Sequence, residues 1–205
     1  MGATVSLFGM TPFEIVAEAG TNVTYWPEFL QLDDADQLLS LTEDLNWVRP
    51  SVTMFGRTIP IPRDVVWVSD GQTYSYSNGI NTRPHPWPNW LDDLRKSIAG
   101  HTRSNYNSCL LNRYRDGADS VAWHADDEPE LGECPVIASV SLGAQRKFRL
   151  RNKISRQLVE IRPEHGSLIV MSGFCQRDWE HTVPREKRVL TPRVNLTFRT
   201  TGGGL

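Results

Sequence analysis

The chain changes its rhythm near residue 105. Upstream, apolar residues recur at three- and four-residue intervals in two places. In DDADQLLSLTEDLN, residues 33–46, Leu38, Leu41 and Leu45 fall on one side of a helix, and the acidic start suits a helix N-terminus. In residues 88–99, Trp90, Leu91, Leu94 and Ile98 share a face, with Pro88 near the first turn and Gly100 placed to end the helix. Residues 51–88 are rich in Gly, Pro, Ser, Thr and aromatics, the pattern of short strands and long loops. Downstream the period becomes two. NSCLLNRY, VIASVSLG, KFRLRN, QLVEIR, GSLIVMSG and RVNLTFRT are strand-favouring runs parted by Gly, Pro or charged turns. In VIASVSLG, Val136, Ala138, Val140 and Leu142 alternate with polar positions that include Ser139 and Ser141. These runs predict a β-sandwich or barrel core with the helical N-terminal part packed against one sheet.

Composition narrows this picture only a little. At 205 residues, with 39% hydrophobic and 22% charged residues, the chain reads as one globular domain. The formal net charge of −2 gives no global argument for a polyanionic partner, so any nucleic-acid surface must be a local patch. Cys109, Cys134 and Cys175 lack CxxC spacing, which argues against a disulfide framework or zinc knuckle and for a reducing compartment. No leader pattern and no apolar run of membrane length is visible. The expectation is a soluble intracellular protein without a membrane partner and monomeric, in the cytoplasm if bacterial and the nucleus if eukaryotic. There is no internal repeat, and the terminal TGGGL reads as a frayed tail.

Candidate chemistry begins in WHADDEPELG, residues 123–132. His124 and Asp126 stand at i and i+2. On a helix they would point about 200° apart. On a strand or extended turn they share a face, roughly 6.6 Å apart along the chain, and both tips can meet one ion. The pair alone is weak, since a satisfied edge histidine beside a solvated aspartate looks the same. His85 lies in a Pro-rich loop, His101 follows Gly100 and His165 sits in the turn PEHG. His181, in DWEHTVP shortly after the apolar run GSLIVMSG, is the better third ligand. Two imidazoles and a carboxylate leave positions open on a metal, the arrangement of non-haem Fe(II) oxygenases. Manganese, cobalt or nickel would also fit such a site.

RVNLTFRT, residues 193–200, adds a second constraint. Val194, Leu196 and Phe198 form one face; Arg193, Asn195, Thr197 and Arg199 form the other. The bland reading is a polar face in water. The alternative turns it into a barrel mouth, where an arginine fork grips a carboxylate. Two arginines on a strand bound for the core call for an anion.

Taken together, HxD, a histidine fifty-five residues after the aspartate, and RxNxTFR resemble the AlkB family of Fe(II)- and 2-oxoglutarate-dependent dioxygenases. The segments LNRYRDGADSVAWHADDE, IASVSLG, KFRLR and HGSLIVMSG, with PR…SDG…YSYSNG…PWP upstream, look like its nucleic-acid-repair branch, in pattern nearest to the animal DNA-repair homologues. The twelve-residue step from Asn112 to His124 is shared with those homologues. The resemblance covers roughly residues 50–200. It implies a mainly β fold with flanking helices: a double-stranded β-helix (jelly-roll, cupin-like) core with an N-terminal α/β extension as a nucleotide-recognition lid. Residues 1–30 are then an N-terminal extension, 31–200 one dioxygenase domain (about 50–90 the lid, 105–200 the jelly-roll core) and 201–205 a disordered tail.

The resemblance also implies Fe(II) on His124, Asp126 and His181, with O2 and 2-oxoglutarate as co-substrates. It implies 2-oxoglutarate contacts from Asn112, Tyr114, Arg193, Asn195, Thr197 and Arg199. The activity implied is oxidative demethylation of N-alkylated bases of the 1-methyladenine and 3-methylcytosine type in single- or double-stranded DNA, releasing succinate, CO2 and formaldehyde. A base modified on its pairing edge must leave the stack. Tyr74 and Tyr76 match the family's aromatic positions at the flipped base, His124 forms the opposite wall, and Glu128 matches the position that meets the base's polar edge. Phe55, in MFGR before Arg57, is a candidate wedge or equally a loop-core residue. Arg146 and Lys147 in RKFRLRNKISR, and Arg185, Lys187 and Arg188 in REKR, are candidate phosphate contacts. The rival readings are an RNA or tRNA demethylase of the same family, a non-catalytic nucleic-acid-binding module, and an oxygenase acting on protein or lipid.

Overall fold

The structure, a computed structural model, describes residues 11–202 apart from 19, 55, 72–73, 77–79 and 83, and the backbone alone at 54, 74–76 and 80–82. The first strands are β1 (Phe13–Glu18) and β2 (Thr21–Trp26), followed by α1 (Leu32–Leu41). Two hairpins, β3 (Ser51–Met54) with β4 (Arg57–Pro60) and β6 (Tyr74–Tyr76) with β7 (Ile80–Thr82), flank β5 (Asp64–Ser69) and precede α2 (Asn89–Thr102). Then come β8 (Ser108–Tyr114), β9 (Val121–His124), a 3-10 turn (Pro129–Leu131), β10 (Ile137–Gly143), β11 (Phe148–Asn152), β12 (Leu158–Ile161) and β13 (Ser167–Gly173). The short α3 (Cys175–Asp178), β14 (Trp179–Val183) and β15 (Arg193–Arg199) complete the fold.

The strands form a seven-stranded sheet, in order β1-β2-β13-β10-β15-β8-β5, and a four-stranded sheet, β12-β11-β14-β9, with antiparallel pairing throughout. This is the jelly-roll sandwich expected, mainly β with helices outside it. Period-two alternation sorts the large sheet's side chains into two cores. On β10, β15 and β13, Ala138, Val140, Leu142, Val194, Leu196, Phe198, Leu168 and Val170 face the layer of α1 and α2, meeting Ala35, Leu91, Leu94 and Ile98. The alternate positions turn inward between the sheets, where Ile137, Ile169 and Met171 meet Phe148, Leu150, Trp179 and Val183. One end of that inner layer is polar, and the site lies there.

Four boundaries differ from expectation. α1 stops at Leu41 because the Thr42 hydroxyl bonds the Leu39 carbonyl and the Trp47 indole N–H takes the Thr42 carbonyl, turning the chain away. α2 runs past Gly100, since His101 and Thr102 bond back to the Ser97 and Ile98 carbonyls; it ends at Arg103 in left-handed backbone, φ 54°. Residues 13–26 are not an appendage: β2 pairs with β13 from Trp26↔Leu168 to Thr21↔Gly173, and Val16, Val23 and Tyr25 are buried. Nor does the chain fray at 201, because the Asn107 amide brackets the buried Thr201 backbone and Gly202 N–H reaches the Glu130 carbonyl.

Candidate active site

The register of the small sheet sets His181 of β14 opposite His124 of β9, with ring centroids 4.2 Å apart. β9 ends at His124, so Asp126 follows in extended loop, and its backbone N–H donates to Gln176 Oε1 from α3. One ligand atom from each of His124, Asp126 and His181 lies within 4.8 Å of the others. His124 Nδ1 contacts the Ala122 carbonyl at 2.9 Å. A carbonyl only accepts, so Nδ1 carries the hydrogen and Nε2 keeps its lone pair for a metal.

The electrostatics fit a divalent cation. Burial and the neighbouring His124 push the His181 pKa down to about 3, against the nearby Asp126, so the imidazole is neutral and ready to ligate. Burial works against the charge on Asp126, but the Arg199 guanidinium holds its carboxyl below the usual range. Arg199 Nη2 holds Oδ1 at 2.8 Å, while Oδ2 is buried with no hydrogen-bond partner, an atom set aside for a ligand. Without metal, stability should fall as pH drops below about 6.5, because unfolding releases His181 to take a proton the interior refuses. The loss continues toward the folded value of about 3, and Asp126 adds to it below the ordinary carboxylate range. The unfolding free energy of chelator-treated protein, from urea titrations, should fall by up to about 1.4 kcal/mol per pH unit between pH 6 and 4. His181→Ala should flatten that profile.

The inward face of β15 completes the cavity. In register, Asn195 of β15 lies between Asn112 of β8 and Ser141 of β10, and Arg193 pairs across from Tyr114. Asn112, Tyr114, Arg193, Asn195, Thr197 and Arg199 line one cavity with the three metal-site residues. Arg193 is 2% exposed. Its Nη2 donates to Ser141 Oγ at 2.8 Å, whereas Nε and Nη1 find no acceptor. Burial pushes its pKa down to about 10, with no carboxylate in ion-pair range among the described residues. A buried guanidinium with two idle donors is a seat for a carboxylate. The chain's residues therefore fit iron at one end and a dicarboxylate's far end at the other. Sequence reasoning missed Ser139, Phe148 and Met171, which share the lining, and Gln176, which holds the Asp126 backbone. Ser139 was visible as a polar position in an apolar strand; Phe148 and Met171 carry no such signal.

The remaining expected residues divide. Glu128 is half-buried, and its Oε2 is buried with no hydrogen-bond partner, while Asp127 is exposed and pairs with Lys153. The β6–β7 hairpin sets Tyr74 opposite Thr82 and Tyr76 opposite Ile80, but those side chains lie outside the described residues, as does Phe55. Arg57 is exposed on β4. Arg146 is not a phosphate contact. It is 1% exposed and donates to the carbonyls of Asp116, Asp119 and Pro184, tying three loops together. Its run is neutralised from both neighbouring strands: Lys147 and Arg149 by Glu160, Arg151 and Arg156 by Glu180. By contrast Arg185, Lys187 and Arg188 are exposed, with no ion pair among the described residues, on the loop that follows β14.

Comparison with known proteins agrees with this geometry. Residues 22–199 match the family described as the 2OG-Fe(II) oxygenase superfamily. "Alpha-ketoglutarate-dependent dioxygenase alkB homolog 3" of Mus musculus is 42% identical over 191 residues, covering 88% of this chain and 66% of that protein. "DNA oxidative demethylase ALKBH2" of Bos taurus is 36% identical over 210 residues, covering 97% of this chain and 75% of its own length. A solved structure titled "The structure of OsALKBH1" shares the fold, with a TM-score of 0.60 at 19% identity over 90% of this chain and 99% of that one. The chain spans 64–66% of the length of the alkB homolog 3 proteins it matches in mouse, rat and human. The iron-site triad, the carboxylate seat and the match over residues 22–199 converge: the chain belongs to the AlkB family of the 2OG-Fe(II) oxygenase superfamily.

Proposed function

We propose that the protein removes N-methyl groups from alkylated nucleobases in DNA. The observation that carries the nucleic-acid reading is the loop after β14. Arg185, Lys187 and Arg188 point three unneutralised cations at solvent, four to seven residues beyond the ligand His181. A phosphate backbone lying there leaves a base within reach of the metal cavity. The relatives named DNA oxidative demethylase and alkB homolog 3 supply the reaction class.

Bound iron, with 2-oxoglutarate and O2, supplies the oxidation of the methyl group; the hydroxymethyl product then falls apart to formaldehyde and the free base edge. The chain's own residues orient and exclude. Arg193 holds the far carboxylate, Asn112, Tyr114, Asn195 and Thr197 fix the remainder of the co-substrate, and Arg199 keeps Asp126 ionised and aimed. Glu128 offers its unpartnered oxygen to the polar edge of the flipped base, with Tyr74 and Tyr76 as stacking surfaces from the β6–β7 lid and Phe55 as wedge. RNA is the second reading, because every metal and co-substrate residue is indifferent to the sugar. Formaldehyde release from matched methylated single-stranded DNA, duplex DNA and RNA, with iron and 2-oxoglutarate present, separates the two. Release from none of them would remove the proposal.

The loop makes a sharper claim. Replacing Arg185, Lys187 and Arg188 with Ala should weaken oligonucleotide binding and lower the slope of log K against log salt by about 0.7–0.9 per lost phosphate contact. Arg149→Ala and Arg151→Ala should leave the slope unchanged, since those side chains already face Glu160 and Glu180.

A further inference from the structure

The cavity's polar side chains are oriented by hydrogen bonds to one another. The Asn195 amide nitrogen donates to Ser139 Oγ and the Val140 carbonyl, at 2.7 and 3.0 Å, and its oxygen accepts from Thr197 Oγ1 at 2.9 Å. The Ser141 oxygen accepts from Arg193. A hydroxyl that accepts one bond still has its own hydrogen, so Ser139 and Ser141 each have an O–H left to donate. The Asn195 amide hydrogens and the Thr197 hydroxyl hydrogen are spent inside the wall, while the two serine hydroxyls and the idle Arg193 nitrogens still have hydrogens to give.

Asn112 is the wall amide that these bonds do not orient, and an amide can present either end to the cavity. Its orientation is fixed from behind. Arg63, in the PIPRD segment just before β5, is 5% exposed and donates from Nε to Asn112 Oδ1 at 2.9 Å. A guanidinium has no acceptor, so a flipped amide would set Nδ2 donor against donor and lose this bond. The segment is itself held: Arg63 N–H bonds the Ile61 carbonyl and the Pro62 carbonyl accepts from Ser120 N–H. β5 and β8 pair alongside it, from Asp64↔Arg113 onward.

We propose that Arg63 is a positioning residue for co-substrate binding: it locks the Asn112 amide with its oxygen outward and its Nδ2 hydrogens toward the anion in the cavity. Arg63 itself does not line the cavity. Its influence on the ligand passes through the Asn112 amide, which would add a donor to those of Arg193 and the serines. The inference rests on 2-oxoglutarate as the cavity's ligand.

The test is calorimetric binding of 2-oxoglutarate to protein loaded with Mn(II) without oxygen, for wild type, Arg63→Met, Arg63→Lys, Asn112→Ala and the Arg63→Met/Asn112→Ala double variant. Arg63→Met should bind about tenfold more weakly. Arg63→Lys, which still donates, should recover most of that loss. The double variant should be no weaker than Asn112→Ala alone, since both substitutions remove one shared effect. Oligonucleotide affinity should not change. Additive losses, or a Lys variant as weak as the Met variant, would overturn the proposal. Wild type that fails to bind 2-oxoglutarate would instead remove the co-substrate reading. Should Arg63→Met fail to fold, the Asn112 side-chain N–H2 resonances in Zn(II)-loaded wild type decide: they must move on adding 2-oxoglutarate, and no movement contradicts the lock.

Discussion

His181→Ala and Asp126→Ala should both abolish the proposed formaldehyde release, yet leave two different metal-free proteins. Each deletes one of three ligands. Outer partners of metal ligands typically cost 10- to 100-fold when removed, so loss of a ligand itself should weaken Fe(II) binding by more than about 100-fold. The difference lies in what the ligand held before metal arrived. Asp126 and Arg199 are each 3% exposed at the side chain and 2.8 Å apart. Deleting the carboxylate takes away the anion that Arg199 faces in the interior, a change that costs about 3–5 kcal/mol in buried pairs. His181 is neutral in the folded state and resists protonation, so its removal leaves no charge behind and abolishes a liability at low pH. Urea unfolding of the two metal-free variants at pH 7 should therefore show Asp126→Ala well below wild type and His181→Ala within about 2 kcal/mol of it. Equal destabilisation would mean that the Asp126–Arg199 pair does not carry the apo site.

This asymmetry shows which parts of the site could be read from one chain. The ligands were legible because coordination demands residue types at spacings that strand geometry restricts. His124 and Asp126 lie two apart at the end of β9, and His181 follows an apolar run that became β13. RVNLTFR was legible as two faces, although burial of both faces required the small sheet to cover the polar one. What stayed hidden depended on register. Ser139 and Ser141 look like solvent-facing serines until β15 lies beside β10 and sets Asn195 and Arg193 against them. Arg63 reaches Asn112 from forty-nine residues away, a contact no local pattern contains. The basic run misled for the same reason. Glu160 and Glu180, which neutralise it, lie on β12 and β14, flanking β11 on either side. Strands 13–18 and 21–26 were overlooked because they join the sheet through β2, whose partner β13 lies more than 140 residues downstream.

Gly117→Ala should impair nucleic-acid binding without touching the metal cavity. The loop carrying Arg185, Lys187 and Arg188 is seated on this residue: Gly117 N–H donates to the Val189 carbonyl at 2.7 Å, and Glu186 N–H donates to the Gly117 carbonyl at 2.8 Å. Glu186 turns inward between the cations, accepting from the Lys147 backbone N–H at 2.6 Å and pairing with Arg146 and Arg162. The acid is thus spent internally, and the three flanking cations keep their charge for solvent. A Cβ on Gly117 would fall far inside van der Waals contact of the Glu186 carbonyl, which is backbone and has no rotamer to yield. Overpacking of this kind costs about 1–3 kcal/mol or more, and here the loop must lift. Arg146, anchored also to the Asp116 and Asp119 carbonyls, keeps the neighbouring loop in place. Oligonucleotide affinity and its salt dependence should therefore fall toward those of the triple cation variant, while 2-oxoglutarate affinity stays at the wild-type value. A Gly117→Ala protein that melts lower yet binds DNA with the full salt slope would place the phosphate contacts elsewhere on the surface.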